Sequence, residues 1–262
     1  MSDCRIAYDA CPLCDSKDVR QLGVGSCAQH PLFIEEISKE IFWMRCHDCD
    51  HAFTSGYFTD DVFNKLLKNA HPEQLPGTPT LNERAIAAKI VEDVCLARNK
   101  WSGSWLDVGI GNGSLLATAD EFGFDAFGID VREKSVTRMH ELHYDALCVG
   151  FMDLTGAGTF DVISMADVLE HMPFPRLALQ KASELLREGG TLFLSMPNAE
   201  SLAWRMMTAT HQNPYWGEIE HYHNFGRSRL YELLDDFGFE PVRYNVSQRY
   251  VACMEVIARK IT

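Results

Sequence analysis

The chain has 262 residues, 46% of them hydrophobic, and a formal net charge of −13. That length suits one large domain or a domain and a half with a full apolar core, and the acidity argues against a nucleic-acid partner, which needs clustered Lys and Arg. With no run of 18 apolar residues no membrane span is expected, and Met1-Ser2-Asp3-Cys4-Arg5 lacks the apolar stretch of a signal peptide, so a cytoplasmic location is expected.

Residues 1–55 hold two Cys-x-x-Cys pairs, Cys11-Pro-Leu-Cys14 and Cys46-His-Asp-Cys49. Two such knuckles supply the four thiolates of a structural zinc ribbon, a closed tetrahedron with no position left for a substrate. Nine cysteines in a reducing compartment fit metal ligation or buried thiols better than disulfides. The gap between the knuckles is longer than in a compact ribbon, so a hairpin or short helix is expected between them, with 31–43 as the insertion. Cys4, Cys27, His30, His47 and His51 are competing ligands, and buried unligated thiols or a redox dithiol are the alternatives.

From residue 55 to about 100 the pattern turns helical. Residues 60–68 carry apolar side chains at helical spacing, and Pro72, Pro76, Gly77 and Pro79 mark a loop. Asn82 is placed to cap a helix bearing Ile86, Ile90, Val91 and Val94 on one face.

The next stretch runs Trp105-Leu-Asp-Val-Gly109-Ile-Gly111-Asn112-Gly113-Ser114, an apolar strand breaking into Gly-x-Gly-x-Gly ahead of a helical pattern. Glycines at such a turn let a ligand approach the main chain, and in a doubly wound sheet the turn lies at the carboxyl edge. Ser114 stands where a dinucleotide fingerprint needs its third glycine, and Asp107 would repel a pyrophosphate but suits an ammonium or sulfonium. Asp130, about 20 residues on at the end of a second strand, is spaced to hold ribose hydroxyls.

Strand and helix then alternate, the mark of a parallel sheet. Strands are predicted near 104–109, 124–130, 145–149, 159–165 and 190–196, with Gly189-Gly190 as the turn into the fifth. An irregular stretch to about 224 holds Trp204, Tyr215, Trp216, His221, Tyr222 and His223, a composition that suits the roof of a substrate pocket or a cap packed on itself. A last helix over 227–237 and closing strands around 239–247 and 250–259 complete the chain.

The segment Leu106-Asp-Val-Gly-x-Gly-x-Gly113, the run Asp161-Val-Ile-Ser-Met-Ala-Asp-Val-Leu-Glu-His171, Leu186-Arg-Glu-Gly-Gly190 and Pro197-Asn198 together resemble class I S-adenosylmethionine-dependent methyltransferases over about 160 residues. The likeness extends to ubiquinone-type O-methyltransferases and to zinc-ribbon methyltransferases of sugar and natural-product pathways. It implies a Rossmann-like α/β fold, a seven-stranded mostly parallel sheet with helices on both faces, joined to the small zinc ribbon. The expected divisions are a ribbon at 1–55, a cofactor-covering helical segment at 56–100, and a methyltransferase domain at 101–262 with a substrate-cap insertion at 197–224.

The resemblance also implies a cofactor site. Asp107, Gly109, Gly111, Asn112 and Gly113 would form its floor, Asp130 and Val131 would meet the ribose, and Met152 and Asp153 the adenine. Ala166, Asp167 and Val168 would line it, with Tyr57 and Arg84 as neighbours from the covering segment. Methyl transfer to a hydroxyl calls for a proton acceptor, and His171, His221 and His223 are the candidates, with Glu170 orienting. The expected reaction is methyl transfer from S-adenosylmethionine to a small molecule. An RNA methyltransferase and a nicotinamide-dependent oxidoreductase or nucleotide-binding module are the alternatives.

Overall fold

The computed structural model describes residues 4–68, 75–77 and 81–261; the predicted loop prolines Pro72 and Pro79 lie outside them. The N-terminal part forms β1 (Arg5–Ala7), β2 (Val19–Ser26), β3 (Glu40–Cys46), β4 (Ala52–Thr54) and β5 (Gly56–Phe58), followed by the helices α1 (Asp60–Lys68) and α2 (Leu81–Arg98). The element between the knuckles is the antiparallel β2–β3 hairpin, pairing Val19 with Cys46 and Ser26 with Glu40. Asn82 lies inside the first turn of α2 rather than ahead of it.

The larger part alternates as predicted: β6 (Gly103–Val108), α3 (Ser114–Glu121), β7 (Phe124–Asp130), α4 (Glu133–Glu141), β8 (Ala146–Cys148), β9 (Phe160–Ala166), α5 (Pro175–Leu185) and β10 (Leu186–Pro197). After these come α6 (Leu202–Ala209), β11 (His223–Asn224), α7 (Arg227–Asp235), β12 (Phe239–Val246) and β13 (Cys253–Lys260). The seven-stranded sheet has the order β12-β13-β10-β9-β6-β7-β8. The pairs β6–β7, β6–β9, β7–β8 and β9–β10 are parallel, and β13 runs antiparallel to both neighbours. Each crossover in β6-α3-β7-α4-β8 returns the chain to the same edge, so the loops after β6, β7, β8 and β9 gather at one carboxyl edge.

Two local features differ from the reading of the sequence. The fifth strand starts at Leu186, and Gly189-Gly190 makes a register shift inside it between Leu186 and Thr191 rather than a turn ahead of it. Gly189 has φ +70°, and a Cβ on Gly190 would sit 2.7 Å from the Arg187 carbonyl oxygen, so the irregularity needs both glycines. The stretch 197–224 is less irregular than expected. It holds α6, capped by Ser201 Oγ accepting from the Trp204 amide, and β11, which pairs with β4.

That β4–β11 pairing makes the N-terminal sheet four-stranded, in the order β11-β4-β3-β2. Residues 1–55 therefore complete their sheet with a strand supplied from 170 residues downstream. Cys11, Leu13, Cys46 and Phe53 share a buried cluster with Leu179, Phe225, Leu230 and Leu233, so the N-terminal part is packed into the main core. The apolar face of α2 covers the opposite side, with Ile86, Ile90, Val91 and Val94 against Trp105, Val162, Phe193 and Ile257. None of the described helices is long and apolar enough to cross a membrane.

Candidate active site at the carboxyl edge

The glycine turn between β6 and α3 is built from backbone that other residues resist. Gly109, Gly111 and Gly113 have φ of +74°, +56° and +80°. A Cβ on Gly109 would stand 2.8 Å from Val168 Cγ2, which places the loop after β9 directly against the turn. Asn112 Oδ1 accepts from the Ser114 amide at 3.0 Å and so orders the start of α3. Asp107, on β6 just before the turn, is buried and accepts from Ser164 Oγ at 2.6 Å, while Ser164 in turn accepts from Trp105 Nε1 at 2.8 Å. Burial pushes the Asp107 carboxyl up to about 7, against the pull of that hydroxyl and of Arg249.

The loops after the neighbouring strands bring up further predicted residues. Asp130, buried at the end of β7, accepts from the Arg132 amide at 2.8 Å and is gripped by the Arg132 guanidinium at 3.0 and 2.8 Å. The carboxylate is thus held in a fixed orientation, with Val131 exposed beside it. Met152 and Asp153 are exposed in a 3-10 turn after β8. Ala166 ends β9, and Asp167 follows with φ +56°, a left-handed conformation that a non-glycine residue adopts at a cost. Asp167 Oδ1 accepts from Ser195 Oγ at 3.0 Å, and its Oδ2 lies 3.0 Å from an Arg249 guanidinium nitrogen. Burial raises the Asp167 carboxyl as well.

The covering segment behaves differently. Arg84 donates two N–H groups to Glu121, at 2.6 and 2.5 Å, at the C-terminal end of α3. The glycine turn is at the other end of that eight-residue helix, about 12 Å away at 1.5 Å per residue, so Arg84 is not beside it as expected. Tyr57 packs its ring against Tyr8 and Phe174, at 5.0 and 5.1 Å between centroids, on the side of the N-terminal sheet.

The histidines separate clearly. His171 Nδ1 lies 3.1 Å from the Glu220 carbonyl oxygen, and a carbonyl only accepts, so Nδ1 carries the proton and Nε2 keeps its lone pair. The His221 ring stands edge-on to His171 with centroids 4.7 Å apart, and its Nδ1 is buried without a hydrogen bond. Burial and the neighbouring His171 hold His221 well below the usual histidine range. Donor atoms of Glu170, His171 and His221 all lie within 4.8 Å of one another. Glu170 is 1% exposed, neither carboxyl oxygen has a hydrogen bond, and burial drives it well above the carboxylate range. His223 is a correction to the sequence reading. Its Nε2 donates to the Met172 carbonyl at 3.0 Å and its Nδ1 takes a hydrogen bond from His51 Nε2 at 3.0 Å, so no nitrogen is left for a substrate proton. Full burial, which holds His223 at about 4, agrees with a structural role.

At the N-terminus the four sulfurs of Cys11, Cys14, Cys46 and Cys49 lie within 4.8 Å of one another. The Cys11–Cys49 and Cys14–Cys46 pairs are 3.6 and 3.5 Å apart, near the edge of about 3.8 Å for a tetrahedron of thiolates around zinc. Four of the five competing ligands are engaged elsewhere: Cys4 and Cys27 donate to the Glu36 and Ser38 carbonyls, His30 pairs with Glu218 at 2.9 Å, and His51 meets His223 at 3.0 Å.

Comparison with known proteins fits this arrangement. Residues 81–244, more than half of the chain, match the family described as "Methyltransferase domain". The chain belongs to that methyltransferase family. Ubiquinone biosynthesis O-methyltransferase of Nitrosococcus oceani is 36% identical over 107 residues, 38% of this chain and 45% of that protein. The same enzyme of Idiomarina loihiensis is 29% identical over 152 residues, 53% of this chain and 63% of that protein. The methyltransferase thus spans about half the length of these curated relatives. Among solved structures, the 1,6-didemethyltoxoflavin-N1-methyltransferase of Burkholderia thailandensis, with bound 1,6-didemethyltoxoflavin and S-adenosylhomocysteine, superposes with a TM-score of 0.60. It is 18% identical and covers 82% of this chain and 98% of its own. The PH0226 protein of Pyrococcus horikoshii gives 0.58 at 14% identity, over 73% and 96% of the two chains. These two establish the class I fold of the methyltransferase.

Several site residues had no signal in the sequence. Ser164 and Ser195 sit inside strands, and Arg249 lies in the loop between β12 and β13. His51 meets His223 across 172 residues. Each joins the site through strand order or hairpin closure, which no local pattern encodes.

Proposed function

We propose that this methyltransferase binds S-adenosylmethionine over the glycine turn and methylates a hydroxyl of a small-molecule acceptor. The observation that carries the reading is the meeting, at one carboxyl edge, of a left-handed glycine turn flanked by buried acids with His171, whose tautomer leaves the lone pair on Nε2. When bound, the cofactor supplies an electrophilic methyl group on a sulfonium. Gly109, Gly111 and Gly113 admit it to the main chain, Asp130 accepts from its ribose, and Asp107 and Asp167 face its positive charge. Met152 and Asp153 meet the adenine. His171 Nε2 takes the acceptor's proton as its oxygen attacks, and the Glu220 carbonyl and the His221 ring hold that imidazole in place. The relatives named as ubiquinone biosynthesis O-methyltransferases favour such an acceptor over RNA. Cys11, Cys14, Cys46 and Cys49 hold one structural zinc, and the ribbon forms the acceptor-side wall through β11.

Isothermal calorimetry with S-adenosylhomocysteine and with NAD tests the cofactor half of this reading. Binding of the thioether nucleoside and none of NAD is expected. NAD binding without S-adenosylhomocysteine binding would sink it.

A further inference from the structure

The cofactor assigned above carries two positive groups and one negative one, the carboxylate of its amino-acid tail. A carboxylate brought to an edge lined by Asp107, Asp167 and Glu170 finds no counter-charge among those acids, so a cation must meet it. Arg132, next to Asp130, and Arg84, at the far end of α3 from the glycine turn, are both engaged by acids: Arg84 spends two N–H groups on Glu121, and Arg132 spends its side chain on both oxygens of Asp130.

Arg249 is placed differently. It sits in the loop joining β12 to β13, with one amino group 3.0 Å from Asp167 Oδ2 and its guanidinium 5.4 Å from the centre of the Tyr250 ring. Asp167 immediately precedes Val168, the residue in contact distance of Gly109, so the guanidinium is held on the same loop that meets the glycine turn. It is also near enough to Asp107 and Glu170 to favour their charged forms against burial. The side chain is 32% exposed, so it is open to a ligand. A guanidinium has five N–H donors in a planar fork, and Asp167 and the Tyr250 side chain engage only part of them. The fork can therefore remain on Asp167 and still offer a pair of N–H groups to a second carboxylate.

We propose that Arg249 binds the carboxylate of the cofactor's amino-acid tail, with Asp167 holding the guanidinium in position. The role falls to the β12–β13 loop because Arg84, the arginine of the covering segment, is turned to the far end of α3. This inference rests on the S-adenosylmethionine reading, and its test separates the two.

The test is calorimetry with two probes, S-adenosylhomocysteine and its decarboxylated analogue, which keeps the amine and the nucleoside thioether. The parent is expected to prefer the carboxylate-bearing probe. Arg249→Leu should weaken S-adenosylhomocysteine about 10- to 100-fold, the scale of a lost charge-assisted contact, and leave the decarboxylated probe within a few-fold of the parent. Arg249→Lys should recover part of the preference, since it keeps the charge without the fork. The decarboxylated probe also reports folding, because a variant that binds it normally has an intact nucleoside site. If Arg249→Leu weakens both probes equally, or neither, the assignment is overturned while the cofactor reading stands. If the parent binds neither probe, both fall.

Discussion

The proposed cofactor side and the proposed acceptor side of the carboxyl edge are both lined by buried titratable groups, and burial acts on them in opposite directions. Around the glycine turn the groups are acids: Asp107 rises to about 7, and Asp167 is raised with it. Across from them the groups are histidines: His51 and His221 fall well below the usual range and His223 to about 4. Low dielectric disfavours charge of either sign, so burial works against the ionised acids on one side and against imidazolium on the other. The consequence differs with the ligand each side receives. A cationic cofactor restores charge to the acids it meets, whereas a neutral hydroxyl finds an imidazole that is free to accept a proton.

The contrast can be broken most severely by removing the proposed zinc. A closed thiolate site contributes folding energy, on the order of 10 kcal/mol of metal binding. Prolonged chelation should melt the four-stranded sheet and, through β4–β11, disorder the histidine side. Melting followed by circular dichroism and metal analysis check this; a metal-free protein with unchanged melting would remove the metal from the account.

The cofactor side can be broken alone. Gly109→Val should abolish S-adenosylhomocysteine binding, because the position has φ +74° and Val168 stands 2.8 Å from any Cβ there. The overall fold should survive by circular dichroism. Calorimetry showing parental affinity would place the cofactor elsewhere.

The acceptor side can be sharpened with single histidine changes once an acceptor is in hand. His171→Ala should lower turnover about 10²–10⁴-fold with little change in cofactor affinity. His223→Ala should act mainly on stability, since both its nitrogens are spent within the fold. Steady-state kinetics beside melting curves would separate them, and equal turnover losses with equal melting losses would end the distinction.

The smallest effect concerns Asp107. With its carboxyl raised to about 7, it is half protonated near neutrality, and a cationic cofactor selects the ionised form. Binding at pH 7 should release a fraction of a proton, and affinity should weaken as pH falls below 7, by at most tenfold per unit. For stability the sign is reversed. A raised acid contributes most below its unfolded value near 3.9, and that contribution is lost as pH rises through about 7. Calorimetry in buffers of different ionisation heat reads the proton directly; no buffer dependence, persisting in Asp107→Asn, would assign Asp107 a purely structural part.

The sequence by itself determined the parts whose physics is local. Strand and helix periods fixed the alternation from β6 to β10, three glycines fixed a left-handed turn, and the Cys-x-x-Cys spacing fixed two knuckles. The rank of the histidines was not legible there, because His171, His221 and His223 have the same chemistry until their partners are known. The Glu220 carbonyl sets the tautomer of His171, and Met172 with His51 takes His223 out of contention. The surroundings of Arg84 and Arg249 were hidden for the same reason: Glu121 is 37 residues from one, and Asp167 meets the other because β13 closes antiparallel onto β10. Hydrogen-bond saturation and ion pairing are settled by neighbours far away in the chain, so tertiary structure alone decided which of the candidates are free to act.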